Sequence, residues 1–144
     1  MAIWKECTRY YLTKSEYDKA NLSDAVIEGL TIVAGGESFI LSLNDVQTNS
    51  ISSVETAPKL YGDILPTVDQ GKIISAKCLD INTALSNLGG AELRSSRYSG
   101  YYTSSTAKQG SYYTNCIYTY DTYYYGELYD YVEYPYIRGV TNID

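Results

Sequence analysis

The chain has 144 residues, about the size of one ordinary domain, with 44% hydrophobic, 19% charged and 14% aromatic residues. That apolar content supports a packed core and excludes wholesale disorder. Lys and Arg total 11 against 17 Asp and Glu, a net charge of −6 that argues against general nucleic-acid binding, and the absence of His removes the commonest acid–base side chain and metal ligand.

At the N-terminus, Met1 to Arg9 is polar and mixed in charge, without the apolar stretch of a secretory signal. No apolar run is long enough to cross a bilayer, so a product made in the cytoplasm, with no membrane partner, is expected. Trp4 to Leu12 is β-favouring throughout and reads as a strand. Thr13-Lys14-Ser15-Glu16 has capping-box spacing and opens a short helix toward Asn21. Two β-type runs, Ala25 to Ala34 and Glu37 to Leu43, meet at Gly35-Gly36 and predict a hairpin, because glycines accept positive φ.

Residues 44–71 read as a long loop with Pro58, Gly62 and Pro66; either Ile51 to Thr56 is a short strand or the segment is an arm. Gly71 to Ile81 reads as the next strand. Asn82 then caps a short helix with Ile81, Leu85 and Leu88 on one face, ended by Gly89-Gly90.

Tyrosine divides the chain: 14 of the 18 fall at or after Tyr98, in a segment with no Phe and no Trp. Period-2 pairs recur there, Tyr118 with Tyr120, Tyr123 with Tyr125, Tyr129 with Tyr131, and Tyr134 with Tyr136, as on strand faces. Strands are expected at about 111–120, 122–126 and 128–138, with Gly100, Gly110, Gly126 and Gly139 at turns and Pro135 at an edge or strand end. The expected fold is mainly β: antiparallel sheets, sandwich or barrel-like, with one or two short helices and extended loops. Residues 1–97 form a β-rich core with the 44–71 loop or arm, and the Tyr-rich segment 98–144 packs with it as one domain.

Phe, Leu and Val would share a demand for core volume alone. A phenol instead suits half-buried surfaces, because its apolar body comes with a hydroxyl that wants water or a partner. The expected contact residues are Tyr101, Tyr102, Tyr112, Tyr118, Tyr120, Tyr123, Tyr125, Tyr129 and Tyr131. Three uses stand side by side: cross-strand ladders within the sheet, subunit contact, and stacking on a sugar or peptide ligand.

Signals for chemistry are weak. Gly71-Lys72 lacks the earlier Gly and the following Ser or Thr of a phosphate loop. Asn21-Leu22-Ser23 fits a glycosylation triplet but has no secretion signal beside it. Asp121, Asp130 and Glu133 read as solvated edge charges rather than a glycosidase pair, and no calcium-loop run is present. No serine has a His to activate it. Cys7, Cys78 and Cys116 are odd in number and lack Cys-x-x-Cys, so free thiols are expected. No catalytic residue, cofactor or metal ligand is assigned.

The segment Ser95 to Ser105 and the block Tyr112 to Tyr136, in a short, acidic, His-free chain, resemble in style the small virion structural proteins of tailed bacteriophages. The resemblance implies many copies on a symmetric shell or tube: a non-enzymatic head decoration, head-tail connector, or tail or fibre component in the virion. Its partners would be itself or a coat, connector or tail protein. The alternative is a module that recognises a glycan or cell surface by tyrosine stacking, against which the distance of the sole Trp4 from the Tyr-rich segment counts.

Overall fold

In a computed structural model, residues 1–5, 8–21, 23, 25–47, 65–94, 100–104, 107–109, 112–118, 124–129 and 136–143 are described, with the backbone alone at 4–5, 8–9, 26, 46–47, 100, 107–109, 112–116, 118 and 124–129. The fold is mainly β, with antiparallel pairing dominant and three short helices among the described residues.

The first sheet is antiparallel throughout. β1 (Ala2–Lys5) and β2 (Thr8–Tyr11) form a hairpin pairing Lys5 with Thr8 and Ala2 with Tyr11. The single strand expected over Trp4 to Leu12 is therefore two. Folding back places β1 between β2 and β3 (Ala25–Ala34), where Ala2 and Ile3 are buried. β3 turns into β4 (Glu37–Ser42) through Gly35 at φ +58° and Gly36 at φ +80°, the hairpin that the glycine pair predicts. β11 (Val140–Asn142) completes the order β11-β4-β3-β1-β2. Gly29 is required in β3, since a Cβ there would overlap the Leu41 carbonyl oxygen of β4.

The second sheet contains β5 (Val46–Gln47), β6 (Gly100–Tyr101), β7 (Ala107–Gln109), β8 (Tyr112–Tyr118), β9 (Tyr124–Tyr129) and β10 (Tyr136–Ile137). β8 is its spine. β6 and β7 pair along one side of it, β9 along the other, and β10 joins β6 in parallel and β5 antiparallel. Gly126, expected at a turn, lies inside β9 opposite Cys116, and Gly100 lies in β6. A register shift between Tyr113 and Cys116 absorbs the irregularity next to that glycine pairing. Gly139 does sit at a connection, between β10 of one sheet and β11 of the other. Gly110, Pro135 and Ile51 to Thr56 lie outside the described residues.

α1 (Lys14–Lys19) starts where the capping spacing places it: Thr13 Oγ1 accepts the Glu16 amide at 3.2 Å and donates to the Glu16 carboxylate at 3.0 Å. The strand expected over Gly71 to Ile81 is instead helical, α2 (Val68–Ala76) followed after Lys77 by α3 (Cys78–Asn87). Two features decide it. Thr67 and Gln70 form a reciprocal capping box, at 3.0 and 3.2 Å. The buried positions Gly71, Ile74, Ser75, Cys78, Ile81, Leu85 and Leu88 also recur at three- and four-residue intervals, a helical rather than alternating pattern. Asn82 is consequently inside α3 and not its cap; its Oδ1 accepts the Leu93 amide at 2.7 Å. Gly89, at φ +74°, ends the helix while the Gly90 amide bonds back to the Leu85 carbonyl at 2.9 Å.

One core joins these parts. Leu30, Ile32, Phe39 and Leu41 from the first sheet meet Ile74, Cys78, Ile81 and Leu85 from the helices and Tyr101, Ile117 and Tyr136 from the second sheet. α2 lies against β8 and β9 and α3 against β3, so the helix pair touches both sheets. Each large apolar side chain enclosed here contributes roughly 1.5–3 kcal/mol.

Candidate functional site

The chain crosses from the second sheet to the first at Arg138-Gly139, and the crossing is where buried charge collects. Arg138 is only 1% exposed. Its Nη1 donates to the Ser42 carbonyl at 2.9 Å, and its Nη2 donates to the Ala91 carbonyl at 2.9 Å and to Asp45 Oδ1 at 3.2 Å. The same carboxylate receives Arg94 Nε at 2.9 Å and the Tyr101 hydroxyl at 3.2 Å on Oδ2. The Arg94 amide donates to the Tyr101 hydroxyl at 2.8 Å, and its guanidinium lies 3.7 Å from the centroid of the Tyr136 ring.

Three backbone bonds frame this cluster. Ser42 N donates to the Gly139 carbonyl, Ala91 N to the Leu43 carbonyl and Tyr102 N to the Tyr136 carbonyl. The 89–94 segment is thereby clamped onto the end of β4, and β10 onto the residue after β6. Burial, reinforced by the Asp45 charge, pushes the Tyr101 phenol far above its ordinary range, against the opposing pull of Arg138 and the Arg94 amide. The cluster can fix the crossing in one geometry. The one carboxylate is held by two guanidiniums and a phenol, charge-assisted bonds that fix its orientation.

The expected contact tyrosines divide into four groups. Tyr101 and Tyr102 are 0% exposed, so in the isolated chain they are core residues with no surface to offer a neighbour. That corrects their assignment as contacts: in Tyr101, the hydroxyl has a carboxylate and a backbone amide for partners inside the fold. Tyr112, Tyr125 and Tyr129 are placed by backbone register. Position 125 pairs with buried Ile117 and 129 with 112, and regular alternation along β9 puts 125 and 129 on the face that Ile117 occupies. Tyr118 pairs with Tyr124, and both positions belong to the opposite face, with 113 and 128 paired farther along β9 on that same side. Tyr120, Tyr123 and Tyr131 lie outside the described residues, as do Asp121, Asp130, Glu133 and Cys7. Cys78 is buried outside any disulfide, and its sulfur accepts from Asn82 Nδ2 at 3.7 Å.

Asp45, Arg94 and Arg138 were missed by sequence reasoning. A usable signal existed for Arg138: a lone cation inside the apolar run Tyr136-Ile137-Arg138-Gly139-Val140 must find a buried partner.

A second feature lies at the far edge of the first sheet. β2 pairs only with β1 among the described residues, and its Tyr10 and Tyr11 are 45% and 47% exposed. The Met1 and Leu12 backbones exchange both bonds at the open end of this hairpin, at 2.6 and 2.7 Å.

Among the described residues no cluster of three or more Cys, Asp and Glu side chains could hold a metal, and no helix is long and apolar enough to cross a membrane. No protein-family model, curated protein or solved structure matches the chain.

Proposed function

We propose that the chain is a non-enzymatic assembly subunit of a virion of the tailed-bacteriophage kind, binding its own copies or a coat, connector or tail protein through tyrosine-bearing strands. The observation that carries this reading is the pairing of Tyr118 with Tyr124 on the sheet face opposite the buried Ile117, with Tyr113 paired to Leu128 farther along it. Among the described residues, Tyr101, Tyr102 and Tyr136 are the buried tyrosines. Rows of tyrosine positions on a second sheet face call for a cover, because large uncovered aromatic areas are uncommon on monomers. The tied crossing at Arg138 supports the same reading, since a component of a shell or tube must hold its shape under load.

The test is light scattering with size exclusion on the whole chain, alone and with purified particles. Self-association or retention on a particle is expected, and Tyr113→Ser with Tyr118→Ser and Tyr124→Ser should release folded subunits from the larger assembly. Unfolding of that variant would assign the tyrosines to the core and overturn the proposal. A monodisperse monomer that binds a glycan array would favour the sugar-recognition alternative.

A further inference from the structure

We propose that β2 is a homotypic docking edge, on which β2 of a second copy pairs antiparallel across a two-fold axis with Tyr10 opposite Tyr10. This rests on the reading of the chain as an assembly subunit and names one surface that would join the copies.

The register supplies the geometry. In an antiparallel pair, residues that exchange both bonds alternate with residues whose amide and carbonyl face outward. Met1 and Leu12 exchange both bonds, so Ile3 with Tyr10 is the next exchanging pair, and the backbones of Arg9 and Tyr11 face away from β1. Centring the two-fold on Tyr10 sets each outward Arg9 backbone against the outward Tyr11 backbone of the other copy. All four polar groups on each side of the axis are then satisfied. No other centre within the strand pairs both outward residues with outward residues.

Composition points to a second copy rather than an unrelated strand. The protein carries a net charge of −6, yet Thr8-Arg9-Tyr10-Tyr11 contains no carboxylate, so two acidic molecules can approach here without setting acid against acid. Sheet proteins that stay monomeric blunt their edges with proline, lysine or a bulge. β2 has no proline, lysine or bulge, and its one charged position, 9, is set opposite position 11; it has two half-exposed rings, and the axis sets Tyr10 against its own copy. At the opposite edge of the same sheet, the Asn142 side chain of β11 accepts from Gln70 Nε2 at 2.8 Å. Because the two-fold uses the same edge on both copies, pairing through β2 closes on a dimer with a continuous ten-strand sheet.

Two variants of the whole chain test this. Tyr11→Pro removes only an outward amide, leaving the bonds to β1 in place, and should weaken self-association by about tenfold in sedimentation, one hydrogen bond being lost on each side of the axis. Tyr10→Cys should give an interchain disulfide under mild oxidation, because residues opposed without exchanged bonds have Cα atoms about 4.5 Å apart, while Tyr11→Cys should not. Equal cross-linking at positions 10 and 11, or unchanged assembly of Tyr11→Pro, overturns the edge proposal while leaving the assembly reading intact. A parent chain that stays monomeric at every concentration overturns the edge proposal, and one that purified particles also fail to retain overturns both.

Discussion

Asp45 and Arg138 lie 93 residues apart in the chain and meet at 3.2 Å inside the fold, with the carboxylate only 5% and the guanidinium 1% exposed. Their contact joins the β4–β5 connection to the β10–β11 connection, two places where the chain passes between the sheets.

Removing the cation should be severe. Arg138→Ala leaves the Ser42 and Ala91 carbonyls without their donor and takes one of two guanidiniums from Asp45. A loss of about 3–5 kcal/mol in urea unfolding is expected. Arg94→Ala, whose side chain is 46% exposed, should lose less, about 1–2 kcal/mol. A reversed ranking of the two would mean that the crossing is not what the cluster stabilises.

Tyr101 ties stability to alkaline pH. Its phenol is held protonated in the folded chain by burial and by Asp45, and it ionises near its ordinary value of 10.0 once unfolded. The unfolded state therefore releases a proton that the folded state keeps. Stability is full below pH 10 and falls above it by about 1.4 kcal/mol per pH unit for this group. Denaturation curves at pH 9 and pH 11 should show that slope, and Tyr101→Phe should remove this share of it after an initial loss of about 1–3 kcal/mol from the two hydrogen bonds.

Two glycines should behave differently. Gly29→Ala drives a Cβ into the Leu41 carbonyl and forces the β3–β4 pair apart, so a loss above about 2 kcal/mol is expected. At Gly36 nothing crowds an added Cβ, and only the positive φ opposes it. Gly36→Ala should lose about 1–2 kcal/mol and Gly36→Asn less, since Asn accepts that conformation. Thermal unfolding of the three variants ranks them.

Gln70 links a helix start to a sheet edge. Its Oε1 accepts the Thr67 amide and its Nε2 donates to Asn142. Thr67→Ala should lose about 1 kcal/mol, a cap alone, and Gln70→Ala more, because the contact of the buried Gln70 side chain with Asn142 goes with it. Hydrogen exchange at β11 should quicken in Gln70→Ala only.

What was readable in the sequence was local. Gly35-Gly36 and Thr13 with Glu16 act within four residues of themselves, and both elements form where those residues place them. Gly71 to Ile81 was misread because adjacent Ile73 and Ile74 look strand-like, whereas the decisive Thr67–Gln70 box lies just upstream and the buried spacing extends beyond the window to Leu88. The Asp45 cluster assembles partners 49, 56 and 93 residues away from it, and no local pattern encodes such a meeting. Tyr101 and Tyr102 share the Tyr-Gly-Ser surroundings of a contact loop, but tertiary packing took them inward. Composition reports what a side chain tolerates, not which side of the backbone the fold will enclose.

The two-residue passage from β10 to β11 sets an order of events during synthesis. The strands that finish both sheets leave the ribosome last and within a few residues of each other. A nascent chain halted before Tyr136 holds two unfinished sheets and Asp45 without Arg138. Neither half can therefore mature ahead of the other, and locking should arrive as a single late step.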